Sequence, residues 1–133
     1  IDELPLVMVL GCCAVGPTVL KGIGELRVKE TDRIHSMMQG LERLGARLRL
    51  TQDDGVEIAG SRLRGSTLDC FGDHRTAMAL SVAALVAEGP TRVVGVECVS
   101  KSFGEFFDVL RALTSPSTVR MEPRRIDKPP SLC

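Results

Sequence analysis

The 133-residue sequence contains no tryptophan or tyrosine, and its four phenylalanines all lie in the second half of the chain. It also has no surplus of either charge, since 17 lysines and arginines balance 17 aspartates and glutamates. Proteins that bind nucleic acids or acidic membranes draw much of their affinity from excess positive charge, so this balance argues against both classes. Because no apolar run reaches the ~18 residues of a membrane span and no signal-peptide pattern is present, we predict a cytoplasmic protein.

The cysteine pattern argues against a zinc site. None of the five cysteines forms a C-x-x-C pair, and no histidine stands at ligand spacing from them. Cys12 and Cys13 are adjacent inside an apolar run, which is typical of reduced, buried thiols. We therefore expect free cysteines and no structural metal.

The first 114 residues show alternating helical and strand patterns and are predicted to form one domain. The predicted elements are, in order, an apolar helix over 2–15, a strand over 18–23, an amphipathic helix over 34–45, a hairpin over 46–58, an apolar helix over 76–87, a strand over 91–96 and a helix over 103–113. Asp2 and Asp73 are expected to cap the two apolar helices. This order predicts an α/β or α+β fold, with helices packed on a sheet.

Two segments of this domain resemble each other. The sequences AVGPTV at 14–19 and AEGPTR at 87–92 both follow an apolar helix, begin a strand and lead on to a lysine, Lys29 or Lys101. This pattern indicates a duplicated supersecondary unit. Gly-Pro is also a frequent helix stop, so two independent helix-to-strand junctions are the alternative.

The residues after Thr114 differ in composition from the rest of the chain. Four of the seven prolines lie there, together with Arg120, Arg124, Arg125 and Lys128. Such a composition is typical of chains that cannot bury enough apolar surface to fold. Residues 115–133 are therefore predicted to form a Pro/Arg-rich, disordered tail.

Four cations stand at or just before predicted helix starts, where the partial positive charge of a helix disfavours them. They are Lys29, Arg33, Arg75 and Lys101. Anionic ligands at these ends would make the pattern favourable, because helix N–H groups and cations would then act on the same phosphate or carboxylate. The alternative is that the charged residues of 29–33 form a solvated ion-pair cluster.

Two carboxylates, Asp2 and Glu30, stand beside these candidate anion sites. A carboxylate among cations is a candidate general acid or base. His74 adjoins Arg75, and a lone histidine at such a position is more typical of a structural role. Metal binding by Asp73 and His74 would need a second cluster of ligands, which the sequence does not offer.

Three motifs contain these charged residues: LRVKETDRI at 26–34, GDHRTAMA at 72–79 and CVSKSF at 98–103. Together they resemble the enolpyruvyl transferase family, and within it the branch that uses shikimate 3-phosphate. The resemblance covers residues 1–113. It implies a fold of two similar domains built from repeated βαβαββ units, with helix N-termini directed into the cleft between the domains.

The resemblance also implies a reaction. The enolpyruvyl group of phosphoenolpyruvate would be transferred to the 5-hydroxyl of shikimate 3-phosphate, a step of the shikimate pathway toward aromatic amino acids, with release of phosphate through a tetrahedral intermediate. No metal or organic cofactor is implied. By motif position, Asp2 and Lys29 would contact the shikimate side and take part in proton transfer, and Glu30 would exchange protons with the methylene carbon of phosphoenolpyruvate. The cations that hold phosphoenolpyruvate would be Arg33, Arg75 and Lys101, with His74 and Glu25 as their neighbours.

The family's N-terminal domain has no counterpart in the sequence, which begins at Ile1. We therefore expect the chain to supply about half of an active site and to be inactive without a complementary N-terminal domain. One alternative is a non-catalytic, anion-binding remnant of the enzyme. A second is a UDP-N-acetylglucosamine enolpyruvyl transferase, whose branch lacks the first two motifs.

Overall fold

The computed structural model describes residues 1–123, in which helices alternate with strands. The elements are, in chain order, α1 (Leu4–Cys13), β1 (Pro17–Leu20), the 3-10 helix η1 (Gly24–Val28), α2 (Arg33–Arg43), β2 (Arg47–Leu50), β3 (Val56–Ala59), β4 (Thr67–Asp69), α3 (His74–Val86), β5 (Arg92–Val94), the 3-10 helix η2 (Val96–Lys101) and α4 (Phe106–Ala112). The predicted mixture of helices and strands is confirmed. Within residues 1–123, no helix combines the length and the apolar character that crossing a bilayer requires.

The predicted tail is described only in its first part. Residues 115–123 contain a turn and neither a helix nor a strand, and residues 124–133 lie outside the described residues. Disorder of the segment 115–133 therefore stays a prediction.

The strands form two small sheets of opposite type. β3 lies between β1 and β2 in an antiparallel sheet, and β2 and β3 form the predicted hairpin, with Arg47 opposite Ala59 and Leu50 opposite Val56. β4 and β5 pair in parallel, with α3 as the crossover between them. Because parallel strands end at the same edge, the loops that lead from them into α3 and η2 begin side by side.

The order of elements repeats along the chain. The run α1, β1, η1 and α2 is followed, after the hairpin and β4, by the run α3, β5, η2 and α4. In each run, a glycine with a left-handed backbone lies between the first helix and the strand: Gly16 at φ 90° and Gly89 at φ 85°. Residues with a β-carbon rarely adopt this conformation. The similarity noted in the sequence thus corresponds to two similar arrangements of elements.

Two groups of buried side chains form the core. The larger joins α1, α2, α3 and the antiparallel sheet, and includes Met8, Cys12, Ile34, Leu41, Ile58 and Leu80. The smaller joins α3 to β4 and η2 through Ala77, Cys70, Cys98 and Val99. This second group fixes the segment ending at Lys101 against the N-terminal half of α3.

Several sequence predictions need correction. Asp2 does not cap α1: the capping position is Glu3, no side chain there bonds to the helix, and Asp2 is instead engaged by Arg33. Cys13 is exposed although Cys12 is buried, because successive residues of a helix point in directions about 100° apart and Cys13 is the last residue of α1. β1 ends at Leu20 rather than at residue 23, since Gly22 has a left-handed φ of 63° that no strand continues. By contrast, the prediction that Asp73 caps α3 is confirmed.

Candidate active site

Arg33, the first residue of α2, is the centre of a buried charge cluster. Its side chain is 2% exposed, and arginines are rarely buried without partners. Each of its nitrogens donates to a different carboxylate. Nε donates to Asp73 Oδ2 at 2.8 Å, Nη1 to Asp2 Oδ1 at 3.0 Å and Nη2 to Glu30 Oε2 at 2.5 Å. Because Asp73 lies 40 residues further along the chain, the folding of the domain assembles this cluster, and a solvated surface cluster within 29–33 does not describe Arg33.

Asp73 uses both carboxylate oxygens to join two helices. Oδ1 accepts from the backbone N–H groups of Arg75 at 2.8 Å and Thr76 at 3.2 Å, which caps α3. Oδ2 accepts from Arg33 Nε and from the hydroxyl of Thr31 at 3.2 Å. Burial would raise the pKa of Asp73, but the bonds from Arg33 and from the helix N–H groups outweigh it and hold the pKa below its ordinary value. Asp73 is therefore an anion at neutral pH, although it is fully buried.

Asp2 and Lys29 lie on the open side of Arg33. The Lys29 ammonium is 3.7 Å from Asp2 Oδ1 and donates to Glu25 Oε1 at 2.5 Å. Partial desolvation would raise the pKa of Asp2, but the charges of Lys29, Arg33 and Arg75 together lower it. The hydrogen bond to Glu25, with the nearby Asp2 charge, raises the pKa of Lys29. At neutral pH, both groups are consequently charged.

Arg75 flanks this cluster from the first turn of α3. Its Nη1 donates to Glu3 Oε1 at 2.8 Å, and its charge contributes to the low pKa of Asp2, so it lies near the same carboxylate that Arg33 binds. His74 is half-buried beside it, and its side chain forms no hydrogen bond within residues 1–123. The N-terminus of α3 thus adds one cation to the cluster.

Within residues 1–123, no hydrogen bond or ion pair joins Lys101 to the cluster. It is exposed at the C-terminal end of η2 and forms no ion pair with any of the described residues. Its backbone is nevertheless held near α3, because Cys98 and Val99 of the same 3-10 helix pack against Ala77. The structure therefore brings together Asp2, Lys29, Glu30 and Arg33, with Arg75 adjacent, and leaves Lys101 extending into solvent.

This arrangement is suited to anion binding and to proton transfer. The carboxylates that occupy Nη1 and Nη2 of Arg33 are those of Asp2 and Glu30, which are 45% and 55% exposed and can yield to a ligand carboxylate or phosphate. The same two carboxylates would then stand next to the bound anion, where an acid or base is useful. In the described part of the chain, no three His, Cys, Asp or Glu side chains converge on a point that could hold a metal ion.

The sequence did not reveal every residue of the cluster. Thr31 and Glu3 bond to Asp73 and Arg75, and nothing in their local pattern sets them apart from ordinary polar residues. Asp73 was assigned only a capping role. Its second role depends on the contact between α2 and α3, which no local pattern encodes.

Comparisons with known proteins place the chain beside one enzyme family. A family model described as EPSP synthase (3-phosphoshikimate 1-carboxyvinyltransferase) matches residues 1–110. A 3-phosphoshikimate 1-carboxyvinyltransferase from Roseiflexus castenholzii is 46% identical over 113 residues, which are 85% of this chain and 26% of that protein. One from Geobacter sp. (strain M21) is 48% identical over 111 residues, or 83% of this chain and 26% of that protein.

Solved structures give the same result. An EPSP synthase from Acinetobacter baumannii superimposes with a TM-score of 0.78 at 37% identity, and the match covers 84% of this chain and 26% of that one. The chain thus spans about a quarter of the length of the relatives that it matches.

Proposed function

The chain belongs to the EPSP synthase family, and from this premise we propose that it forms part of the site that transfers the enolpyruvyl group of phosphoenolpyruvate to the 5-hydroxyl of shikimate 3-phosphate. The observation that carries the proposal is the Arg33 cluster, in which one buried guanidinium presents two nitrogens to partly exposed carboxylates. An anionic substrate would replace those carboxylates on the guanidinium.

Within this proposal, the cations bind phosphoenolpyruvate. Arg33 holds one anionic group of the substrate, Arg75 binds from the start of α3, and Lys101 reaches toward the substrate from the end of η2. Fixed cations around a dianionic reactant stabilise charge that develops during the reaction and need little reorganisation. The exposed position of Lys101 is compatible with a side chain that becomes ordered on ligand binding.

The acids carry the protons. In the addition step, Asp2 with Lys29 removes the proton of the 5-hydroxyl, whose oxygen bonds to C2 of phosphoenolpyruvate. Glu30 enters this step in its protonated form, released from Arg33 by the substrate, and delivers its proton to the methylene carbon. In the elimination step, Glu30 takes a proton back from that carbon, the C2–O bond to phosphate breaks, and phosphate leaves. The low pKa of Asp2 keeps it ionised and able to accept a proton. The mechanism uses no cofactor, and Glu25 and His74 adjoin the reacting groups.

The chain is proposed to need a partner and to act in the cytoplasm. It spans about a quarter of its relatives, so the remaining parts of a full-length enzyme would have to supply the other substrate contacts. We expect no turnover by the chain alone. The described cysteines are all free thiols, as is usual in a reducing compartment.

Two measurements test the proposal. Titration calorimetry with phosphoenolpyruvate asks whether the 133-residue chain binds this substrate. A chimera, in which residues 1–110 replace the matching segment of the R. castenholzii enzyme, asks whether the chain supports phosphate release. Arg75→Ala should abolish both, while Arg49→Ala, which removes an exposed cation paired with Glu57, should change neither.

The outcomes separate the alternatives. Binding of phosphoenolpyruvate by the chain together with an inactive chimera would favour a non-catalytic, anion-binding remnant. Phosphate release from phosphoenolpyruvate with UDP-N-acetylglucosamine, instead of shikimate 3-phosphate, as the acceptor would favour the other branch of the family. Absence of both binding and turnover, in a folded protein, would refute the proposed function.

A further inference from the structure

We propose that Asp73 is a positioning residue for Arg33: its buried carboxylate holds Nε, and this turns the two terminal nitrogens of the guanidinium toward the open side of the site. The inference rests on the proposed function, because it assigns Arg33 to an anionic substrate. Asp73 itself would not touch the substrate, since its side chain is fully buried.

The guanidinium of Arg33 has one buried edge and one open edge. On the buried edge, Nε donates to Asp73 Oδ2 at 2.8 Å, and the two side chains are 2% and 0% exposed. On the open edge, the partners of Nη1 and Nη2 are about half exposed. Only the open edge can exchange its carboxylates for a ligand. The contact with Asp73 therefore persists and sets the direction in which Nη1 and Nη2 point.

Asp73 is itself fixed from several directions. Its Oδ1 accepts two backbone N–H groups of α3, and its Oδ2 also accepts the hydroxyl of Thr31. Beside it, the hydroxyls of Ser36 on α2 and Thr76 on α3 lie 3.0 Å apart, which holds the two helices together at this point. The side chain of Arg33 is thereby ordered before a ligand arrives, so that binding does not have to immobilise it.

Substitution of Asp73 should have a different effect on anion binding if its ion pair with Arg33 were purely structural. Removal of the Asp73 charge makes the surroundings of Arg33 more positive, and by electrostatics alone this would strengthen the binding of an anion. If Asp73 instead positions the guanidinium, loss of the Asp73 carboxylate leaves Nε unpaired and the guanidinium free to rotate. The anion is then bound more weakly. The sign of the change in affinity therefore distinguishes the two roles.

The test compares Asp73→Asn with Asp32→Asn in the full 133-residue chain. Asn can still accept the N–H groups of α3 but offers no charge to Arg33. Asp32 is a matched control, because its side chain caps α2 through His35 N and pairs with Arg27, whereas the carboxylates that pair with Arg33 are those of Asp2, Glu30 and Asp73. Calorimetry gives the Kd for phosphoenolpyruvate, and ¹⁵N NMR of the Nε–H group reports the environment of Arg33 without any ligand.

We expect Asp73→Asn to raise the Kd about tenfold and to shift the Arg33 Nε–H resonance, while Asp32→Asn changes the Kd less than about twofold. Unchanged or tighter binding by Asp73→Asn, or an unmoved resonance, would overturn the inference. If Asp73→Asn does not fold, Thr31→Val, which removes one donor to the same oxygen, should shift the resonance in the same direction. If the wild-type chain does not bind phosphoenolpyruvate and the chimera shows no turnover, the proposed function is refuted, whereas the NMR comparison still decides whether Asp73 positions Arg33.

Discussion

Gly40 of α2 lies directly against Leu80 of α3: a β-carbon built on Gly40 would come within 2.7 Å of both δ-carbons of Leu80. Leu80 is fully buried, so its side chain could move away only by displacing other side chains of the close-packed core. The close approach of the two helices at this point depends on the missing side chain, and it keeps the first turns of α2 and α3 in contact.

Gly40→Ala should therefore destabilise the domain by about 1 kcal/mol. Overpacking typically destabilises a protein by about 1–3 kcal/mol, and the better helix propensity of alanine relative to glycine offsets at most about 1 kcal/mol of this. Urea unfolding followed by circular dichroism measures the difference. In a Leu80→Ala background the clash is gone, so the same Gly40→Ala change should be neutral or stabilising. A wild-type chain stabilised by Gly40→Ala would contradict the packing argument.

The stability of the domain should fall in acid because of its aspartates. The pKa values of Asp2, Asp53 and Asp73 are lowered from 3.8, the value assigned to an unperturbed aspartate. Their stabilising contribution is fully present above the unfolded pKa and is lost as the pH falls through the lower, folded values. The free energy of unfolding should thus be level near neutral pH and decline below a pH of about 4.

The Asp73→Asn variant provides the control for this pH dependence. It lacks the most buried of the three carboxylates, so its unfolding free energy should decline less steeply between about pH 4 and pH 2 than that of the wild type. If the free energies of unfolding of the two proteins declined with the same slope against pH, Asp73 would not have a lowered pKa.

Glu30→Gln should separate catalysis from binding in the chimera described above. Glutamine can still accept the hydrogen bond from Arg33 Nη2, but it cannot transfer a proton. We expect kcat to fall by about 10²–10⁴, the usual contribution of general acid–base catalysis, while the Kd for phosphoenolpyruvate changes by less than about threefold. Glu57→Gln is the matched control, because the partly exposed Glu57 side chain on β3 also pairs with an arginine, Arg49. Retention of full kcat in Glu30→Gln would remove Glu30 from the mechanism.

The cysteines should differ in their reactivity toward iodoacetamide at neutral pH. Burial raises the pKa of Cys12 to about 11 and that of Cys70 to about 12, so neither forms the reactive thiolate, and both are shielded from the reagent. Cys13 is exposed and should be alkylated before Cys12 and Cys70. Peptide mass spectrometry resolves the sites, including Cys133, which lies outside the described residues. In denaturant, Cys12 and Cys13 should be alkylated at equal rates. Equal alkylation rates in the folded chain would contradict the burial of Cys12.

Local patterns predicted the elements of the fold well. The apolar helices, the hairpin at Asp53-Asp54-Gly55 and the cap at Asp73 all follow from short-range rules on periodicity and turn chemistry, and the structure confirms them. The two 3-10 helices were not predicted, because such short segments have no periodicity that separates them from loops.

The candidate site could be predicted only in part, since its contacts are long-range. The unfavourable position of Arg33 at a helix start indicated an anion nearby, but the sequence could not identify the anions that pair with it in the structure. They are carboxylates from the protein itself. The same interaction accounts for the wrong assignment of Asp2 as a cap: an ion pair with a buried arginine outweighs a single hydrogen bond to a helix end.

The pair of Arg33 and Asp73 also has a consequence for how the domain melts. Arg33 belongs to the first of the two repeated runs of elements, and Asp73 caps the first helix of the second, so unfolding of either run would remove one partner of this buried pair. Breaking such a pair typically costs about 3–5 kcal/mol, which makes a half-unfolded intermediate unfavourable. The duplicated architecture should therefore lose its structure in a single cooperative transition, with equal calorimetric and van't Hoff enthalpies, rather than one repeat at a time.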